Sequence, residues 1–216
     1  MLALLHTSPL HIPVFDALRD EDHPGLELRH LVHEDLLTRA GQDGPESVAG
    51  DVGAVIDRAV AAGARAVLCT CSSIGGVAEA ATAGVPVLRV DRPMAAAAVA
   101  AGARIVVLAT VAGTLGPTVS LVEEEARRAG RSVAVRTLLA EDAWTHFEAG
   151  DLREYARRVA VAADSVTGAD AIVLAQASMA PAQRLTSTTV PVLSSPRPGL
   201  AAAARAVGVR PTGATK

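Results

Sequence analysis

The chain has 216 residues, of which half are hydrophobic, and carries a formal net charge of −3 with a pI near 6.1. The hydrophobic fraction excludes a disordered chain, and the lack of excess basic charge argues against a nucleic-acid partner. Residues 1–13 contain only a very short apolar run with no preceding Lys or Arg. They predict a first core strand and not a signal peptide or a membrane span, so we expect a cytoplasmic protein without a membrane partner.

Eight short hydrophobic runs of β-strand character follow one another along the chain. They cover residues 2–5, 26–32, 66–69, 85–90, 104–109, 133–137, 171–174 and 190–193. Between them lie Ala-rich stretches of helical character, such as 48–62, 119–129 and 152–166. Hydrophobic strands that alternate with helices are typical of parallel sheets covered on both faces, so the sequence predicts an α/β fold.

An internal repeat predicts how these elements are grouped. The sequence GARAVL at 63–68 matches GADAIV at 168–173, and VPVL occurs at both 85–88 and 190–193. Arg92-Pro93 likewise matches Arg197-Pro198, and all three matches share one offset of 105 residues. Such a register predicts two similar flavodoxin-like halves, each with a parallel four-stranded sheet, related by pseudo-two-fold symmetry. The two repeated arginines are interpreted as structural or interface residues.

The repeat also predicts the domain boundaries. The first half covers residues 1–92, together with a C-terminal helix at about 199–209 that packs back on it. The second half covers residues 93–198. The last residues, 210–216, are predicted to be a frayed tail because they are polar and terminal.

The only two cysteines of the chain, Cys69 and Cys71, lie one residue apart near the end of the third predicted strand. Two cysteines so close do not make a disulfide framework, and no second Cys/His pair at zinc spacing accompanies them. Cys69 lies within the apolar run and is predicted to be a core residue. Cys71 is followed by SSIGG, a plausible helix start, where the positive end of the helix dipole favours an anion. This position suits either a reactive thiolate or a bound carboxylate.

In the repeat, residues 71–74 correspond to residues 176–179. Ligands of parallel sheets bind outside the carboxyl ends of the strands. We therefore expect Cys71 and Gln176 on opposite walls of one central cleft between the two halves.

Other predicted strands also end in polar residues, namely His6, Thr7 and Ser8 after the first strand and Thr110 and Thr114 after the fifth. On an aliphatic scaffold with 2% aromatic residues they predict a pocket for a small anion and not a stacking site. His6 is a candidate general base or oxyanion donor. The remaining histidines, His11, His23, His30, His33 and His146, are expected at the surface, and residues 123–125 on the solvated face of a helix. No nucleotide, metal or flavin motif is present, so no metal and no cofactor are predicted.

Together these residues resemble the aspartate/glutamate/hydantoin racemase superfamily, which also contains maleate isomerase and arylmalonate decarboxylase. The resemblance rests on the two-half repeat, CSS at 71–73, AT at 109–110 with Thr114, and LAQASM at 174–179. It implies a cofactor-independent enzyme in which two cysteines flank the substrate carbon and strand-end N–H and hydroxyl groups hold carboxylates. The catalytic candidates are Cys71 and Gln176. The substrate-binding candidates are His6, Thr7, Ser8, Ser72, Ser73, Thr110, Thr114, Ala177 and Ser178.

The departure from the family pattern is Gln176, which takes the place of the second cysteine. A carboxamide does not exchange a proton near neutral pH, so the resemblance implies one thiol that acts on one face of a small carboxylic acid. Racemisation or isomerisation, decarboxylation and lyase-type elimination all stay open, as does a non-catalytic carboxylate-binding protein. We also expect a homo-oligomer, a dimer or larger.

Overall fold

The eight strands form two separate four-stranded parallel sheets in the computed structural model, which describes residues 1–209. The α/β class and the parallel four-stranded sheets predicted from the sequence are confirmed. The chain divides into two units: the first is Met1–Val90 with the segment that begins at Pro196, and the second is Asp91–Ser195. The predicted tail at 210–216 lies outside the described residues.

In the first unit the strands lie in the order β2-β1-β3-β4. The elements are β1 (Leu2–His6), α1 (Ile12–Asp22), β2 (Leu28–Val32), α2 (Glu34–Asp43), α3 (Ala49–Ala61), β3 (Ala66–Cys69), α4 (Ser72–Glu79), β4 (Val87–Arg89) and α9 (Pro196–Ala206). Short 3-10 turns cover Pro9–His11 and Pro45–Val48. The predicted helix at 48–62 therefore begins as a 3-10 turn.

In the second unit the order is β6-β5-β7-β8, so the two sheets share one topology. The elements are α5 (Arg92–Ala101), β5 (Arg104–Ala109), α6 (Leu115–Arg128), β6 (Ala134–Leu139), α7 (Glu141–Glu148), α8 (Leu152–Asp164), β7 (Ala171–Leu174) and β8 (Val192–Leu193). Two 3-10 segments cover Ala112–Thr114 and Ala177–Arg184. The strand expected at 190–193 keeps only two residues; Pro191 has no N–H to donate to a ladder.

Alternating side chains of the central strands enter opposite cores of the first unit. Leu2 and Leu4 pack with Phe15 of α1 and with Leu200 and other residues of α9. Ala3 and Leu5 point to the other side, into the core that α3 and α4 cover. This period of two follows from the pleat of the strand. Among residues 1–209, no helix has the length and apolarity needed to span a membrane.

The two repeated arginines stand at the starts of α5 and α9 and form ion pairs inside their own units. Arg92 pairs with Glu124, at 3.3 Å, and with Glu125. Arg197 pairs with Glu21, at 2.5 Å, and with Asp22.

The expectation that the whole acidic run at 123–125 is solvated was therefore wrong for Glu125, whose side chain is only 12% exposed. Its face of α6 turns towards α5, where the two carboxylates meet Arg92.

We expect Gly199→Ala to destabilise the protein by up to about 2 kcal/mol. An added Cβ would lie 2.4 Å from the carbonyl oxygen of Val90, so α9 would have to shift away from the strand end. Overpacking of this kind costs about 1–3 kcal/mol, of which the better helix propensity of Ala offsets about 1 kcal/mol. Urea unfolding followed by circular dichroism measures the difference.

Gly53→Ala in α3 is the matched control, because a Cβ there meets no atom within 4 Å. This variant should be as stable as the wild type or more stable, by up to about 1 kcal/mol. A Gly199→Ala protein that gains stability as Gly53→Ala does would contradict the close packing of α9.

Candidate functional site

Cys71 is the residue between the end of β3 and the start of α4. Its backbone is extended, with φ −102° and ψ 119°, and its side chain makes no capping hydrogen bond to the helix. It is 8% exposed, whereas Cys69 is fully buried, as expected. Both cysteines are free thiols. The thiol of Cys71 is thus placed beside the first turn of a helix, where the dipole favours an anion.

Arg89 of β4 packs against the first turns of α4. It is 6% exposed, and its Nη2 donates to the carbonyl oxygen of Ser72 at 3.5 Å. A Cβ on Gly75 would lie 3.2 Å from both Cβ and Nε of Arg89. The glycine therefore makes room for a buried guanidinium next to the helix that follows Cys71. Sequence reasoning missed Arg89; the signal was a Gly-Gly pair inside a helix, which indicates a close approach.

His6, at the end of β1, lies in a hydrogen-bonded chain within the first unit. The hydroxyl of Thr70 donates to the carbonyl oxygen of Leu5 at 3.2 Å, so its oxygen accepts from Nδ1 of His6 at 2.8 Å. Nε2 of His6 then accepts from Nδ1 of His30, also at 2.8 Å. On the far side, Nε2 of His30 lies 3.4 Å from Asp16. Both ring nitrogens of His6 are thus engaged inside the unit, and one of them orients the residue before Cys71.

Burial, with further contributions from His11 and His30, lowers the pKa of His6 from 6.5 to about 3. Burial likewise lowers the pKa of His11 to about 4. Since both values lie well below neutrality, both imidazoles are uncharged near pH 7.

The expectation that the other histidines are surface residues was wrong for His11, His23 and His30; Nδ1 of His11 is buried. His23 is 2% exposed, and the His30 side chain is 16% exposed and stacked on His6. The polar neighbours in the sequence suggested exposure, but the pleat of β2 turns His30 towards His6.

In the second unit, Gln176 and Thr110 follow the neighbouring strands β7 and β5. The side-chain oxygen Oε1 of Gln176 accepts from the backbone N–H of Thr110 at 2.7 Å, from the Thr110 hydroxyl at 3.0 Å and from the backbone N–H of Val111 at 3.3 Å. Backbone N–H groups only donate, so they fix which end of the carboxamide faces them. The Nε2 amide group points the other way and makes no hydrogen bond to any residue among 1–209.

A buried tyrosine extends this set. Tyr155 of α8 is 1% exposed, and its hydroxyl lies 3.2 Å from Oγ1 of Thr110 and 2.9 Å from Oγ of Ser178. Burial raises the pKa of Tyr155, so the phenol is protonated near pH 7. Sequence reasoning missed it, although a lone Tyr on the apolar face of a helix requires a hydrogen-bond partner.

The remaining candidates have more local roles in the structure. Ser8 accepts from the backbone N–H of Leu10 as the cap of a 3-10 turn, and Thr7 is 4% exposed. Thr114 is 5% exposed, and its carbonyl oxygen accepts from the Thr118 hydroxyl. Ala177 is nearly buried and offers only its backbone.

The structure therefore brings the candidates together in two sets, one at the strand ends of each unit. Cys71, Ser72, Ser73 and His6 belong to the first set, and Thr110, Gln176 and Ser178 belong to the second. That the two sets face each other across a cleft stays a prediction. Among residues 1–209 no three His, Cys, Asp or Glu side chains lie close enough to hold a metal ion.

Comparison with known proteins shows which family the chain belongs to. The sequence model of the Asp/Glu/hydantoin racemases matches residues 13–206. The chain belongs to this family. Membership assigns it to the enzymes of the racemase superfamily, with a racemase- or isomerase-type activity. No protein with a curated function matches the sequence at a significant level.

Solved structures share the fold of this racemase-family protein at low sequence identity. Aspartate racemase from Picrophilus torridus is 14% identical, with a TM-score of 0.73 and coverage of 97% of this chain and 94% of the other. Allantoin racemase from Pseudomonas fluorescens is 22% identical, with a TM-score of 0.61 and coverage of 97% and 93%. An arylmalonate decarboxylase is 18% identical, with a TM-score of 0.57 and coverage of 100% and 94%. The same fold thus occurs in racemases and in a decarboxylase.

We expect this racemase-family protein to lose stability as the pH falls from about 6.5 towards 4. His6 and His11 have pKa values lowered from 6.5 to about 3 and about 4. The unfolded chain therefore binds more protons than the folded chain in this window, and the stabilisation that is complete above pH 6.5 is progressively lost. Each histidine reduces the free energy of unfolding by up to about 1.4 kcal/mol per pH unit. Urea unfolding at a series of pH values measures the slope.

His11→Gln removes one of these two titrations and should flatten the slope by up to about 1.4 kcal/mol per pH unit. His146→Gln is the control, because the ring of His146 makes no hydrogen bond within residues 1–209. An unchanged slope in His11→Gln would show that its imidazole is not held neutral by the fold.

Proposed function

We propose that this chain is a cofactor-independent enzyme that acts on a small carboxylic acid with a single thiol, Cys71. Gln176 stands where the family resemblance predicts a second cysteine and donates a hydrogen bond to a substrate oxygen. Proton transfer to or from one face of the substrate carbon is the step that these residues support best.

The observation that carries the proposal is the orientation of the Gln176 carboxamide. Its oxygen accepts from two backbone N–H groups and the Thr110 hydroxyl, which leaves the Nε2–H₂ group as the end available to a ligand. A fixed donor of this kind suits a negatively charged oxygen, as in an oxyanion hole. It does not suit proton exchange, because a neutral carboxamide neither gains nor loses a proton near pH 7.

The first unit supplies the complementary group. Cys71 lies beside the first turn of α4, and its side chain makes no capping hydrogen bond to that helix. The hydroxyl of Ser73, in the first turn of α4, is available to a carboxylate. His6 is neutral and orients Thr70, so Cys71 is the residue of this set assigned to proton transfer.

In the proposed reaction the Cys71 thiolate removes the proton from the carbon next to the substrate carboxyl group. The electron pair of the C–H bond moves into the carboxyl group and gives an enediolate, while the sulfur becomes a thiol. Gln176 Nε2–H donates to an oxygen of the enediolate, where negative charge has developed. The thiol then returns a proton to the same face, so this step exchanges the hydrogen with solvent and retains the configuration of the carbon. A substrate held between the two strand-end sets in this way requires the predicted cleft.

Decarboxylation is a second candidate on the same residues. Loss of CO₂ from a substrate with two carboxyl groups on one carbon leaves the same enediolate, which needs one proton on one face, and one thiol supplies it. The single Cys at the site favours this reaction over a two-thiol racemisation. A carboxylate-binding protein without chemistry is the outcome expected if no proton transfer occurs at all.

Deuterium labelling tests the proposal. The enzyme is incubated in D₂O with a panel of small 2-substituted mono- and dicarboxylic acids, and the products are resolved into enantiomers by chiral chromatography with mass detection. We expect label in one enantiomer, or in a stereospecifically labelled product. Cys71→Ala should reduce labelling by on the order of 10²–10⁴, the usual contribution of a general acid or base. Gln176→Leu should reduce it by about 10²–10³.

Cys69→Ala is the matched control, since Cys69 is buried two residues away in the same chain segment, and it should keep the wild-type rate. Gln176→Cys should add label to the second enantiomer, because it introduces a proton donor on the second set. Equal label in both enantiomers of the wild type would refute the one-thiol mechanism. Labelling that survives Cys71→Ala would remove the thiol from it.

A further inference from the structure

Hydroxyl groups in the second unit form a chain that ends on the proposed oxyanion donor. It runs through Ser178, Tyr155 and Thr110 to Oε1 of Gln176, with O···O separations of 2.9, 3.2 and 3.0 Å. Each hydroxyl has one proton, so the direction of donation at one end of the chain determines every other step.

The carboxamide of Gln176 determines the direction in which each hydroxyl of the chain donates. Oε1 of Gln176 only accepts, so the Thr110 hydroxyl donates its one proton there. Thr110 Oγ1 can then only accept from the Tyr155 hydroxyl, and the Tyr155 oxygen can only accept from Ser178. Along the complete chain, Ser178 therefore donates to Tyr155, Tyr155 donates to Thr110, and Thr110 donates to Gln176.

We propose that Tyr155 is a positioning residue that fixes this polarity. It never touches the ligand, because it is 1% exposed. It gives its proton to Thr110, which keeps the Thr110 hydroxyl turned to Gln176, and it takes the proton of Ser178. The functional part of this role rests on the function proposed for Gln176 above, whereas the direction of the chain is independent of it.

The polarity changes the expected role of Ser178. The family resemblance implies that Ser178 contacts a carboxylate, as a donor. In the hydrogen-bonded chain the Ser178 hydroxyl donates its proton to Tyr155. The side of the Ser178 oxygen that faces away from Tyr155 therefore offers only lone pairs. The side-chain donor that this set offers to an anion is then Nε2 of Gln176.

The protein's sequence makes two spectroscopic probes selective for Tyr155 and Gln176. It contains one tyrosine, so the tyrosine Fermi doublet in the ultraviolet resonance Raman spectrum reports the hydrogen bonding of Tyr155 alone. It contains three glutamines and no asparagine, so only Gln42, Gln176 and Gln183 give side-chain amide signals in a ¹⁵N–¹H spectrum. Neither measurement needs a substrate, so failure of the polarity and failure of the proposed reaction are distinguishable.

Two variants decide the direction. Thr110→Val keeps the shape of the side chain but removes the acceptor for Tyr155, and we expect the Raman doublet to lose the signature of a donating phenol. Thr110→Ser restores the hydroxyl and should restore the signature. Ser178→Ala should leave Tyr155 a donor and remove only the hydrogen bond that it accepts. The reverse pattern, with donation lost in Ser178→Ala and kept in Thr110→Val, would overturn the proposal.

Tyr155→Phe tests the effect on Gln176. We expect the amide signals of Gln176 to shift while those of Gln42 and Gln183 stay in place, since Gln42 lies in α2 of the first unit and the Gln183 carboxamide is held by hydrogen bonds to Val192 and Ser194. A global loss of packing would move all three pairs and lower the melting temperature instead. Should Tyr155→Phe leave the Gln176 signals unchanged, or broaden all three alike, Tyr155 does not position the carboxamide and the proposal fails.

Discussion

The polar groups of the candidate site lie at the carboxyl ends of the strands because the strands themselves have no room for them. Every residue of β1, β3 and β7 is buried, so each side chain there except the terminal His6 must pack against a helix layer. An unpaired polar group inside such a strand would lose several kcal/mol of solvation. The polar side chains therefore lie mainly in the first residues after each strand, where backbone N–H groups are also available.

The pleat explains why two cysteines stand together. Residues two apart in an extended segment point to the same side, and Cys69 and Cys71 belong to one core on one face of the first sheet. Only Cys71 lies beyond the last strand residue and precedes α4. Cys71 accordingly keeps 8% of its surface exposed and Cys69 none, although both belong to the same core cluster.

The sequence predicted the two sheets well because it repeats at the strands with the strongest aliphatic character. β3, β5 and β7 fall at the predicted residues, and β7 repeats the pattern of β3. Features that depend on distant partners were not predictable. His30 is partly shielded because β2 pairs with β1, and Glu125 is shielded because α5 lies beside α6. Tyr155 was missed because its partner Thr110 is 45 residues away.

A carboxamide in place of a thiol imposes a requirement on its surroundings that a thiol does not. A thiol has one sulfur atom, so its orientation presents no choice between two ends. A carboxamide has a donor end and an acceptor end that are nearly equal in shape. Only asymmetric partners can choose between them. In the second unit the choice is made by the backbone N–H groups of Thr110 and Val111, which no side-chain rotation can reverse. The backbone that follows β5 thereby sets the electrostatic character of a side chain that follows β7.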